Sequence, residues 1–215
     1  MAKVLLAAIL LVSANLAAQP HAELLRPVIV IRSYDGLATE GQFAVTRSRV
    51  EDILGRTGIG VEWLECRPNP ILATALSSAC EGPLRANEFI LRVMPAVDEH
   101  AATNPSSLGY SLLDRATRGG SVAVVYADRV SALAREANVN RLELLGRAIT
   151  HEIGHLLAGT TVHTRNGLMR ALWTTKELQR NLPRDSQFSA KQADTMRQML
   201  RAAAPAAREA VVASH

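Results

Sequence analysis

His151, Glu152 and His155 stand at a spacing that only a helix turns into one site, and His163 stands where only the end of that helix can bring it back. Residues four apart on an α-helix lie on one face, one turn from each other. If the helix ran on unbroken, His163 would sit about 18 Å along the axis from His151, at 1.5 Å per residue. Gly159 lies between them and is free to take the left-handed conformation that ends a helix and reverses the chain. The segment "HEIGHLLAGTTVH" therefore demands a helix that stops at Gly159 and passes its next four residues into a return loop. Upstream, Asn140 and Glu143, three apart before "LLGRAITHEIGHLL", have the form of a capping-box-like start.

Two histidines on one helical face, joined by a third from the loop, suit a zinc ion, which takes His nitrogens at about 2.0–2.1 Å. Three protein ligands leave a fourth position open, as in a catalytic rather than a structural site. One Zn2+ held by His151, His155 and His163 is the cofactor expected. Glu152 follows the first ligand and can reach a zinc-activated water from beside it, where it serves as general base. The reaction this predicts is hydrolysis of a peptide bond without a covalent intermediate.

These residues resemble the signature of the metzincin clan of zinc peptidases, HExxHxxGxxH followed by a methionine-containing turn. The counterparts are His151, Glu152, His155, Gly159 and His163, with Met169 in "GLM" similar to the Met-turn that forms an apolar floor beneath the metal. The resemblance is to the compact, matrixin-like members. It implies a metalloendopeptidase acting on peptides or proteins, with "LGYS" as an edge strand pairing with an extended substrate. One departure stands out: seven residues separate His155 from His163, where the clan has five, and the glycine comes one place late. Two other readings follow. Glu177 in "TTKEL" would be the third ligand of a gluzincin-like peptidase, and a scaffold whose widened loop no longer supports turnover would be a non-catalytic zinc- or protein-binding domain. Trp173, just after the Met-turn, is a candidate wall for a substrate side chain or an ordinary core residue.

The rest of the chain predicts an α+β fold with a mixed, twisted β-sheet, an N-terminal helix, the active-site helix and a C-terminal helix. "PVIVIRSY" (27–34) is a β-branched run ending at Asp35-Gly36, and Glu40 to Arg56 shows helical spacing closed by glycines. "GVEWLEC", "NEFILRVMP" and "SVAVVYADR" (121–129) read as strands, the last one interior, and "LGYSLLD" as a short edge strand. The final helix begins at Ser189, with Gln192 in the box position, and runs to about Ala204.

Residues 1–18 have a lysine, a short apolar run and small residues, the anatomy of a signal peptide, and the run is too short to span a bilayer. The domains expected are this signal, a metzincin-like peptidase domain over 19–203 and a frayed tail over 204–215. Export to the periplasm or outside the cell makes Cys66 and Cys80 a disulfide, with Cys66 as a zinc-blocking thiolate the lesser alternative. The net charge of +4 is spread over scattered basic residues without interleaved aromatics, which excludes nucleic acid as the expected partner. No membrane contact is expected of the mature chain.

Overall fold

The computed structural model describes residues 26–34, 40–66, 78–97, 99–114, 117 and 119–212. The predicted signal peptide, the Asp35-Gly36 turn and most of the loop between the cysteines lie outside the described residues.

Five strands form one mixed sheet in the order β2-β1-β3-β5-β4. β1 (Val28–Ser33) is the β-branched run, with all but its first residue buried. It pairs in parallel with β2 (Gly60–Glu65) on one side and β3 (Glu88–Met94) on the other, and β3 pairs in parallel with β5 (Gly120–Tyr126). Only β4 (Gly109–Leu113) runs antiparallel, as a hairpin partner of β5, and it forms the sheet's edge. The mixed sheet and the edge position of "LGYSLLD" are as the sequence predicts.

Seven helices accompany these strands in the described residues: α1 (Glu40–Arg56), α2 (Ser78–Glu81), α3 (Glu99–Thr103), α4 (Ala127–Ala137), α5 (Arg141–Ala158), α6 (Thr175–Arg180) and α7 (Ala190–Val212). α1 has the limits read from its periodicity. Two differences stand out. The strand expected to reach Arg129 ends at Tyr126, and its last three residues open α4, whose buried Val130, Ala134 and Ala137 recur at helical spacing. The final helix does not stop near Ala204 but continues past Pro205 to Val212. At its start Ser189 and Gln192 cap one another reciprocally, at 2.8 and 3.2 Å.

The helix that carries the histidine motif, α5, runs through the middle of the molecule. It packs against β4 and β5 of the sheet and against α1, α4 and α7, so that every residue from Leu144 to Leu157 is buried. Full burial of Ile149 and Ile153, each at 0% exposure, contributes about 1.5–3 kcal/mol apiece. A helix covered on all faces cannot leave a polar side chain unmatched without penalty. The partners of Arg147, Thr150, His151, Glu152 and His155 therefore decide what this helix is for.

At the opposite end of the sheet, Cys66 and Cys80 form the expected disulfide, with Cα atoms 5.5 Å apart. This removes Cys66 as a metal-blocking thiolate. By loop-closure entropy the cross-link contributes about 3 kcal/mol. Beside it, buried Arg32 donates to the Gly82 and Pro83 carbonyls at 2.8 and 3.1 Å and pairs with buried Glu88.

Candidate metal centre

α5 starts and stops as its sequence dictates. Asn140 Oδ1 accepts from the Leu142 and Glu143 backbone N–H groups, at 2.8 and 3.2 Å. The reciprocal half of the box is replaced, because the Glu143 carboxylate lies 3.4 Å from Arg49 Nε on α1. At the other end Gly159 adopts φ 59° and ψ 35°, and its N–H turns back to the His155 and Leu156 carbonyls. The next residue locks the turn from both sides. Thr160 N–H donates to the His155 carbonyl at 3.2 Å, while the Thr160 carbonyl accepts from His155 Nδ1 at 2.7 Å.

This reversal delivers His163. The Nε2 atoms of His151, His155 and His163 form a nearly equilateral triangle with sides of 3.1, 3.2 and 3.3 Å. Nitrogens bound to one tetrahedral zinc at 2.0–2.1 Å stand about 3.3 Å apart, so the triangle has the dimensions of one face of that tetrahedron. The seven-residue spacer thus closes as well as a five-residue one would. α5 takes up one extra residue before Gly159 and the return loop takes the other.

The tautomers point the same way. His151 Nδ1 donates to the Leu168 carbonyl at 2.8 Å, and His155 Nδ1 to that of Thr160. Each ring's proton is thereby fixed on Nδ1, leaving a lone pair on Nε2. Two such lone pairs facing at 3.1 Å cannot hydrogen-bond to each other, and a cation between them satisfies both. Protons do not serve this purpose well: burial lowers the His151 pKa to about 3, with His155 adding to the effect, and burial lowers that of His155 to about 4. His163 is the exposed member of the three, and its own desolvation lowers its pKa in the same direction. Neutral imidazoles are the form that binds metal.

Below the triangle the chain folds back once more. Thr164 pairs with Arg170 in an isolated bridge, and Leu168 N–H donates to the Gln187 carbonyl at 2.9 Å, which sets the Leu168 carbonyl under His151. Met169 is buried against α5 at Gly154, the fourth residue of the His-Glu-x-x-His motif. A Cβ at Gly154 would lie 2.9 Å from the Met169 sulfur and 2.6 Å from the Phe188 ring. Only glycine lets the methionine turn approach this closely. Met169 thus packs on the helix that carries the histidine motif.

Glu152 is 7% exposed, and burial raises its pKa to about 7, against the hydrogen bond from Ser111 Oγ at 2.7 Å that lowers it. It faces, with the three histidines, a cleft of about 860 Å³ that Leu108 to Ser111 of the β4 edge and Trp173 also line. The Trp173 ring stands edge-on to His151, with centroids 5.7 Å apart, and packs against the core, so it is both wall and core. Its buried Nε1 has no hydrogen-bond partner among the described residues.

Glu177 does not come to the histidines. Among the described residues the cluster able to hold a metal is His151, His155 and His163. Glu177 is the third residue of α6 and completes a capping box with Thr174, accepting from Thr174 N at 3.0 Å and from Thr174 Oγ1 at 2.8 Å. It also pairs with Arg170. These bonds hold its pKa below the usual carboxylate range, the Thr174 backbone N–H most of all. Sequence reasoning missed Ser111 and the Leu168 and Thr160 carbonyls. A backbone carbonyl leaves no mark in a sequence, and a lone serine on a strand carries no motif.

No protein-family model matches the chain, and no curated protein matches it in sequence. Among solved structures it resembles archaemetzincin from Methanopyrus kandleri, at 17% identity and a TM-score of 0.51, over 82% of this chain and 96% of that one. The likeness shows the fold: this chain has a metzincin-like architecture.

Proposed function

We propose that this protein is a zinc-dependent metallopeptidase that hydrolyses peptide bonds with Glu152 as general base. One observation carries the proposal: three Nε2 atoms spaced as one face of a zinc tetrahedron open onto a cleft beside a buried glutamate held by a serine hydroxyl alone among the described residues. Zinc, when bound, would polarise a substrate carbonyl and bring the pKa of water to about 7. The protein's own residues supply the rest. His151, His155 and His163 hold the ion, with the Leu168 and Thr160 carbonyls orienting two of the rings. Among the described residues Glu152 has no cationic partner to keep it ionised, so it is suited to take a proton from the attacking water and return it to the leaving amine. β4, at the edge of the sheet and along the cleft, would receive an extended peptide as an added strand. Trp173 would wall the pocket for one of its side chains.

Export is part of the same proposal. The signal-like residues 1–18 support it, as does the Cys66–Cys80 disulfide, which forms and persists in oxidising compartments. The order of elements and the compact size support a place near the matrixin-like members.

The test begins with elemental analysis of purified protein under mild chelator. Wild type should hold one zinc per chain and His163→Ala should lose it. Equal retention would remove His163 from the ligand set. With zinc bound, Glu152→Gln should lower cleavage of a peptide library about 10²–10⁴-fold. Zinc binding with no hydrolysis in the wild type would instead favour a non-catalytic binding domain.

A further inference from the structure

Glu152 is held from a strand of which the histidine motif gives no hint. Ser111 lies on β4, with its Oγ 2.7 Å from Glu152 Oε2 and 2.8 Å from the Glu152 backbone carbonyl oxygen. Both acceptors belong to one residue, so the single hydroxyl proton, shared between them with Oε2 the nearer, ties the side chain to its own backbone. Two residues earlier, on the same face of the strand, Gly109 brings β4 close. A Cβ there would lie 3.3 Å from Glu152 Cγ and 2.3 Å from the Val124 carbonyl oxygen. The strand backbone therefore limits the glutamate's stem while the serine holds its head.

We propose that Ser111 is a positioning residue for Glu152, one that engages Oε2 and so reserves Oε1 as the oxygen that takes the proton. The inference rests on Glu152 being the general base. With Glu152 ionised, Ser111 donates its proton to Oε2, and Oε1 has no protein partner among the described residues. When a proton passes from water to Oε1, the O–H bond of water breaks and that of the carboxyl forms. Oε2 becomes the carbonyl oxygen of the acid and still accepts from Ser111. The same contact thus persists in both protonation states, and the base does not swing away between taking the proton and returning it. A hydroxyl has one proton and two lone pairs and needs only to stay where it is.

The test uses the full chain loaded with cobalt in place of zinc, whose visible spectrum reports ligand binding. Acetohydroxamate is the probe, since it gives up a proton to a neighbouring base as it chelates the metal. Ser111→Ala should keep its metal and its melting temperature, yet bind acetohydroxamate about tenfold more weakly, the scale of one hydrogen bond to a charged group. On the zinc protein it should lower kcat by a similar factor and leave KM in place. Ser111→Thr, which keeps the hydroxyl, should restore both. Wild-type affinity in Ser111→Ala overturns the inference, as does a threonine variant as impaired as the alanine one, and loss of metal in Ser111→Ala assigns the serine a structural role instead. Glu152→Gln separates this inference from its premise: if that variant binds acetohydroxamate like wild type, the general-base reading itself fails. If it binds weakly while Ser111→Ala does not, only the serine's role is lost.

Discussion

Two clusters of ionisable side chains are buried at opposite ends of the sheet, and they are built differently. Under the disulfide, Glu88 is 3% exposed and Arg32 is 4% exposed, and each meets its opposite charge. Burial alone would raise the Glu88 pKa, but the Arg85 backbone N–H, the Arg85 guanidinium and Arg32 together hold it below the usual range. On α5, Glu152 is as well buried, and only the Ser111 hydroxyl opposes its desolvation, so its pKa rises to about 7. Beside it the Nε2 lone pairs of His151 and His155 face each other, with His163 Nε2 within 3.3 Å of both. One cluster is satisfied within itself and locks a loop onto the sheet. The other leaves facing lone pairs and a buried carboxylate with no counter-charge among the described residues, the arrangement expected of a site rather than of a structural ion pair.

The largest expected effect sets these glutamates against each other. Glu88→Ala strands the Arg32 charge in the interior and should destabilise the metal-free protein by about 3–5 kcal/mol in urea denaturation. Glu152→Gln, measured identically at pH 8, should leave stability unchanged or raise it, because it removes a buried carboxylate that lacks a counter-charge. Equal losses in the two variants would erase the distinction.

Acid should separate the clusters next. His151 and His155 have folded pKa values of about 3 and 4, below the unfolded value near 6.5. Their contribution to stability is therefore full above pH 6.5 and is lost as pH falls through 4 and then 3. Glu152, raised to about 7, works oppositely: its contribution is full below pH 4.5 and lost as pH rises through 7. Glu88, with its pKa lowered, gives up stability only as pH falls below 4.5. Melting curves in chelator should weaken from pH 6.5 downward, and His151→Ala with His155→Ala should flatten that first limb. An unchanged limb would mean that the two rings are not buried as neutral groups.

The smallest effect marks the edge of the site. Thr174→Ala removes the α6 cap and should cost about 1 kcal/mol while zinc content stays at the wild-type value. Glu177→Ala should likewise keep its zinc. Zinc lost from Glu177→Ala would return that residue to the ligand set.

Much of this was legible in the sequence. The β-branched run of β1, the period of α1, the Asn140 cap and the Gly159 stop are local signals, and each element formed where its own residues placed it. The convergence of the three histidines was legible for the same reason, since a helix face and one glycine bring them together. What escaped was long-range or unmarked. β5 runs into α4 with no side-chain cap at Tyr126, so nothing local announced the change of period, although Val130, Ala134 and Ala137 carried it. Glu177 suits a metal ligand by sequence alone, but its three-residue pairing with Thr174 is a capping box that occupies the carboxylate. Ser111 became visible only when the sheet brought a residue 41 positions away to Glu152.

The turn at Gly159 has a further consequence for how the site assembles. The three converging Nε2 atoms come from residues separated by 4, 8 and 12 positions, so gathering them closes only short loops and forfeits little chain entropy. The alignment of Glu152 depends instead on a tether across 41 positions and on β4 taking its place beside β5. On the proposed function, gripping the ion would be a low-contact-order property of one helix and its return loop, whereas aiming the base would be a property of the whole sheet. A chain whose edge strand has loosened would keep its grip and lose its aim.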